Sequence, residues 1–163
     1  MVRYTKVFLV FCIAFWGLIG TVGNLSDIQS VYEAVRDITS MQGIPEDFGP
    51  PWRTTNPIVV WIGVVFIVLG KLTALIGGGY GAVRMLRSVK GSAQDFAAAK
   101  QWAIAGCAAT FGLLILSFTI IAEGAFFMFV SPSHAEAAAI AFRFSGSFAL
   151  ITIFVAMPDA DQV

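Results

Sequence analysis

Apolar residues in this chain come in four long runs, at 7–23, 58–83, 103–130 and 137–157. A helix needs about 20 apolar residues to cross about 30 Å of hydrocarbon, whereas a membrane strand needs only about 10 in alternation. Runs of this length therefore predict four membrane-spanning helices. Between the first two runs the pattern changes. Ile28, Val31, Tyr32, Val35 and Ile38 recur at helical spacing, while Asp27, Glu33, Arg36 and Asp37 fall on the opposite face. That predicts a short amphipathic helix, with Ser26 and Gln29 as its capping pair. A lipid-surface anchor is rich in lysine and arginine. This polar face is acidic, so the helix reads as a cap on the bundle or as a face for a partner. Residues 43–57 then carry Pro45, Pro50, Pro51 and Pro57 and should run extended. The expectation is an all-α fold: one integral membrane domain over 1–163, a four-helix transmembrane bundle with the amphipathic helix in the first outer loop, 24–57.

Composition narrows the classes. The chain has 163 residues, 58% of them hydrophobic and 12% charged, against about 25% charged in soluble domains. That excludes a soluble enzyme or a disordered tail, and the chain lacks the basic stripe a nucleic-acid binder needs. Two cysteines and one histidine supply neither a disulfide scaffold nor a Cys/His metal cluster.

Charge distribution sets the expected orientation. Arg3, Lys6, Arg84, Arg87, Lys90 and Lys100 fall on one side, and Arg36 and Arg53 on the other. Loops rich in lysine and arginine stay in the cytoplasm, so both termini are expected there. Asp27, Glu33, Asp37, Glu46, Asp47 and Glu136 then lie outside, and Asp95, Asp159 and Asp161 inside. Trp52 and Trp61 mark the outer end of the second span and Trp102 the inner end of the third, since the indole is apolar but its N–H needs a wet partner. Arg53 beside Trp52 reads as an anchor to lipid headgroups. The first span follows Arg3 and Lys6 as a signal peptide would. It is expected to be retained, because its apolar core is long, Trp16 lies inside it, and no small-x-small site with alanines follows.

Three charges remain inside the spans: Lys71, Glu123 and Arg143. A charge at the bilayer centre costs about 3 kcal/mol on insertion scales, so such residues turn inward, pair or line water. At about 1.5 Å per residue, Glu123 is about 10 Å and Arg143 about 9 Å below the outer ends of their spans, and Lys71 about 20 Å. Spans three and four are joined by a short hairpin, so a Glu123–Arg143 salt bridge is expected, with Lys71 snorkelling toward the acid and Thr119 and Ser147 nearby. This network is either packing glue or an ion, proton or anionic-substrate site. Gly63, Gly70, Gly77 and Gly81 in span two, Gly17, Gly20 and Gly23 in span one, and Gly112 in span three predict close helix contacts, internal or between copies. The Gly77-Gly78-Gly79 run is a place for the helix to loosen. His134 alone cannot hold haem between helices. Cys12 and Cys107 read as inert small hydrophobes. No hydrolase, metalloprotease, P-loop or dinucleotide motif occurs.

Arg3-Tyr4, Asn24 with Asp27, Ser40-Met41, Trp52-Arg53, Leu72-Thr73-Ala74, residues 123–129, Ala141-Phe142-Arg143-Phe144 and the acidic tail resemble the bacterial "predicted small integral membrane protein" family, a domain-of-unknown-function group. The resemblance spans almost the whole chain. It implies four spans in a bacterial inner membrane and no assigned activity. The chain departs from that pattern twice: Lys71 stands where relatives tend to carry an acid, and Gly124-Ala125 where an aromatic tends to follow the glutamate. A lysine there favours an internal salt bridge over a carboxylate metal or proton site. The expected function is a non-catalytic accessory or assembly subunit without cofactor, surrounded by membrane lipid and docked to other integral membrane subunits or to further copies of itself. The alternative is a small oligomeric transporter or channel using Lys71, Glu123 and Arg143.

Overall fold

A computed structural model of the chain describes residues 1–45, 47 and 49–160. It is all-helical, with five helices and, among the described residues, no strand. They are α1 (Val2–Ser26), α2 (Ile28–Thr39), α3 (Pro57–Arg87), α4 (Ala93–Glu123) and α5 (Pro132–Ala156). All but α2 are long and apolar enough to cross a membrane. Both termini and the α3–α4 connection share one end, where Arg3 binds the carbonyls of Gly91 and Ala160. We call this the terminal end. The other, the α2 end, carries α2, the 40–56 segment and the α4–α5 turn. Glu46 and Asp161, given sides in the charge count, lie outside the described residues.

Helix limits are set by caps that hydropathy does not see. α4 begins ten residues before the third apolar run, at Ala93, because Ser92 and Asp95 cap it reciprocally. The Ser92 hydroxyl accepts from Asp95 N–H at 3.1 Å, and the Asp95 carboxylate accepts from Ser92 N–H at 3.3 Å. α4 also stops at Glu123, although the chain stays apolar to Val130. Phe127 turns into the left-handed region at φ 52°, and a 3₁₀ turn at Met128–Val130 leads to α5. The cap of α2 differs from the expected pair as well. Asp27, not Ser26, accepts from Ser30 N–H at 3.1 Å, while the Ser26 hydroxyl donates back to the Val22 carbonyl at 2.7 Å.

α2 lies on α3, with Val35 buried against Val60 and Val64 and with Ile28, Val31 and Tyr32 beside them. Arg53 does not extend toward headgroups. It folds back onto the carbonyls of Ile44 and Pro45, at 2.9 and 3.2 Å, while the Trp52 indole N–H donates to the Ala125 carbonyl at 2.9 Å.

The long helices approach through glycine. A Cβ on Gly77 would stand 2.7 Å from Gly106 Cα, and one on Gly106 would stand 2.5 Å from the Gly77 carbonyl carbon. Gly81 meets Ala103 in the same way one turn along. On the other side of α3, a Cβ on Gly17 would stand 2.7 Å from the Lys71 carbonyl oxygen. Small residues let backbones come this close, where dispersion and interhelical hydrogen bonds hold them. One such bond joins the Thr73 and Thr110 hydroxyls at 3.3 Å. α3 widens into a π turn at Ala74–Gly78, the run of glycines where loosening is expected, and α4 does so over Ile115–Glu123. The main core, around Val10, Ile13, Met85, Phe96, Cys107 and Val155, fills the space between α1, α3, α4 and α5 toward the terminal end. Phe8, Phe11, Phe15 and Ile19 on α1 and Leu150 and Ile153 on α5 face outward, as a lipid-facing surface requires.

Candidate functional site

The ion pairs found among the described residues lie at the terminal end, not among the three charges singled out in the spans. Asp159, just past the end of α5, takes Lys6 of α1 at 3.0 Å and Lys100 of α4 at 2.5 Å. The two ammonium groups also donate to the Met157 carbonyl, at 2.6 and 2.7 Å. All three side chains are at most 5% exposed. Beside them the Arg3 guanidinium donates to the carbonyls of Val89, Gly91 and Ala160 and lies against the Phe96 ring. The logic is that of a helix C-terminus: free carbonyls and a partial negative charge attract cations, and an added carboxylate completes the set. Burial alone would push the Asp159 carboxyl up. Hydrogen bonds from Lys100 and Lys6, and their charges, more than reverse this and hold it below the usual carboxylate range. Sequence reasoning assigned these cations to headgroups and the acid to a short tail. The available signal was an acid two residues past a helix end, on the side where cations gather.

Lys71 is placed differently. Its side chain lies across Gly20, and its Nζ sits 3.3 Å from the centroid of the Trp16 ring. Gly17 and Gly20 make this possible, because their missing side chains leave a channel in α1 for the α3 backbone and for the lysine stem. Trp16 in turn packs on Phe144 and Phe148 of α5, at 5.2 and 4.9 Å between centroids. Among the described residues the ammonium makes no hydrogen bond and no ion pair. A desolvated cation–π contact is worth about 2 kcal/mol, less than the cost of about 3 kcal/mol or more for a charge at mid-membrane. An ammonium offers three donors, and here the indole face meets them alone.

Glu123 and Arg143 do not pair, because the geometry behind the expected salt bridge fails at two points. Since α4 ends at Glu123 itself, the acid sits at a helix terminus instead of seven residues deep. Neighbouring Ala122 clusters with Ala138, so Arg143 lies five residues, or about 7.5 Å, further along α5. Arg143 also points away from the other helices and is exposed, with Gly146 open beside it and the Ser147 hydroxyl turned back to the Arg143 carbonyl at 2.8 Å. Thr119 contributes only its carbonyl, to Gly124 N–H. The structure thus brings none of Lys71, Glu123 and Arg143 together.

What Lys71 does adjoin is a cavity of about 270 Å³ that all four long helices enclose. Trp16 and Asn24 of α1, Phe66 and Lys71 of α3, Ser117 and Phe118 of α4, and Ala137 and Phe144 of α5 form part of its wall. The Asn24 amide nitrogen is buried without a partner. A second, apolar cavity of about 130 Å³ lies beneath α2 and shares the Phe66, Ser117 and Phe118 wall. Cys107 is buried and Cys12 exposed, each a free thiol, and His134 belongs to the first turn of α5. The model of a family described as "predicted small integral membrane protein" matches residues 2–158. No curated protein and no solved structure matches the chain.

Proposed function

The chain belongs to this family of small integral membrane proteins, and from that premise we propose that it is a non-catalytic accessory subunit docking through α5 to another integral membrane protein. The carrying observation is Arg143, a cation on an outward helix face, within the span, with no anion beside it among the described residues. Lipid tails give such a group nothing, so the face is energetically incomplete as a lipid contact. The same strip holds Gly146 and Ser147, a small and a polar residue where a lipid-facing helix favours bulk. Small and polar residues are what membrane helices use to associate. The partner is a helix with a carboxylate at the depth of Arg143. The six-to-two bias of lysine and arginine supports a bacterial inner membrane location with both termini cytoplasmic. α2, with its apolar stripe on α3 and its acidic side free, serves as the cap at the periplasmic end.

The test is site-specific photo-crosslinking in native membranes from position 147 or 150, with and without Arg143→Leu. A discrete adduct from these positions, absent from a probe at Phe8 and lost on Arg143→Leu, is the expected result. Absence of any protein adduct, with a single monodisperse species after mild extraction, overturns the proposal. The transporter alternative has less support, since Glu123 and Arg143 lie away from the cavity that Lys71 lines.

A further inference from the structure

We propose that the cavity beside Lys71 is a binding site for a lipophilic monocarboxylate, an acid whose apolar body fills the chamber and whose carboxylate pairs with the Lys71 ammonium. Four observations converge on this chemistry. The wall is apolar and rich in aromatic rings, Phe66, Phe118 and Phe144 among them, which selects a hydrocarbon or aryl body. The charge in it is a single ammonium whose only described partner is an indole face, so one negative charge completes the site and two would leave one uncompensated. Three buried side-chain polar atoms lack a partner among the described residues, and two of them, Asn24 Nδ2 and Thr21 Oγ1, lie one turn apart on α1. Asn24 lines the cavity at its α2 end and offers a donor there. Finally, both helices that flank the lysine leave α geometry beside it, α3 at Ala74–Gly78 and α4 at Ile115–Glu123, a departure frequent at functional sites.

Size follows from the same residues. Trp16 and Asn24 both line the cavity and stand eight positions apart on one helix, so it runs about 12 Å along the helix axis. With a volume of about 270 Å³ it takes one ring or one short chain, not a two-tailed phospholipid. Such an acid reaches the site as a small molecule from the aqueous phase or as a free fatty acid from the surrounding lipid, whose carboxyl end alone then enters. This site lies on the inward side of α5 and is independent of the Arg143 face.

The experiment is ligand-observed NMR on the full-length protein in detergent, with octanoate and 4-fluorobenzoate as soluble probes and oleate as the membrane-borne one. Octanol and benzamide are the neutral controls. The expected result is saturable binding of the acids, about tenfold weaker for the neutral analogues and for Lys71→Met, and retained in Lys71→Arg. Lys71→Met removes an unpaired cation and keeps the length of the side chain, so the fold survives it. As a second variant, Ala137→Phe at the exposed rim should weaken the acids through steric filling, with helix content unchanged. Stronger binding of octanoate than of oleate assigns the site to a soluble acid, the reverse to a lipid-derived one, and either supports the proposal. Equal binding of acids and neutral analogues, affinity unchanged in Lys71→Met, or displacement of octanoate by inorganic phosphate at equal concentration would overturn it.

Discussion

Two sets of cations sit inside this molecule, and their surroundings are opposite. At the terminal end Lys6 and Lys100 share one carboxylate and one carbonyl, and Arg3 holds three carbonyls from two connections. In the spans Lys71 faces an aromatic ring and Arg143 faces outward. The first set is deeply buried and nearly satisfied; the second is less buried and without an anion. A charge that the fold uses for its own cohesion comes with its partners built in. A charge that the fold leaves open is available to something outside the chain. The contrast separates glue from site better than depth in the membrane does.

The comparison breaks most severely at Asp159. Asp159→Ala leaves two buried ammonium groups without their anion, and loss of one member of a buried pair costs about 3–5 kcal/mol. Thermal unfolding in detergent should show the largest drop of any single substitution proposed here; a small drop would mean that Met157 alone suffices. Next comes packing between the two regions: Gly106→Val drives a branched side chain into the Gly77 backbone and should cost about 1–3 kcal/mol or more in the same assay. Lys71→Met should act in the opposite direction, raising stability by about 1–2 kcal/mol in ligand-free protein, because it removes an open charge and keeps the stem packing.

The pH dependence sharpens the contrast. Because the folded Asp159 carboxyl lies below its usual range, its contribution is fully present above about pH 4, the unfolded value, and is lost as pH falls through the depressed folded value. Unfolding temperature should therefore fall steeply in acid for the wild type and more shallowly for Asp159→Asn. The smallest effect belongs to Arg143→Leu, which should shift the stability of the isolated protein by under about 0.5 kcal/mol, as exposed substitutions do, while removing its crosslinked partner.

Much of the architecture was legible in the apolar pattern, and the reasons are physical. Twenty apolar residues in a row admit few structures in lipid, so the four long helices follow almost directly from composition. Their ends do not, because ends are decided by local bonds. Hydropathy carried the third run to Val130, whereas the backbone turns out of the helix after Glu123, and that single difference removed the expected salt bridge. Ser92 was legible as a break but not as a cap, although Asp95 three residues on was the signal. The glycines were legible as contact points, and Gly77, Gly81 and Gly106 bear this out between α3 and α4; whether Gly112 and Gly146 meet anything is not written in the chain's own packing, since both face open space. Lys71 stood out because a lysine among apolar residues is conspicuous. Its partner did not, since no periodicity pairs position 71 with Trp16 on another helix. The grouping of Lys6, Lys100 and Asp159 was hidden for the same reason, being a meeting of three distant segments.

Lys6 and Asp159 are separated by 153 positions, yet they form one bond. During synthesis the first helix therefore waits, its ammonium unmatched, until nearly all of the polypeptide has emerged. Closure of the circle is the last event of assembly, and the few residues after Pro158 act as its clasp. A reporter fused immediately behind Pro158 in place of that segment would leave the leading helix unfastened, however little of the polypeptide it removed.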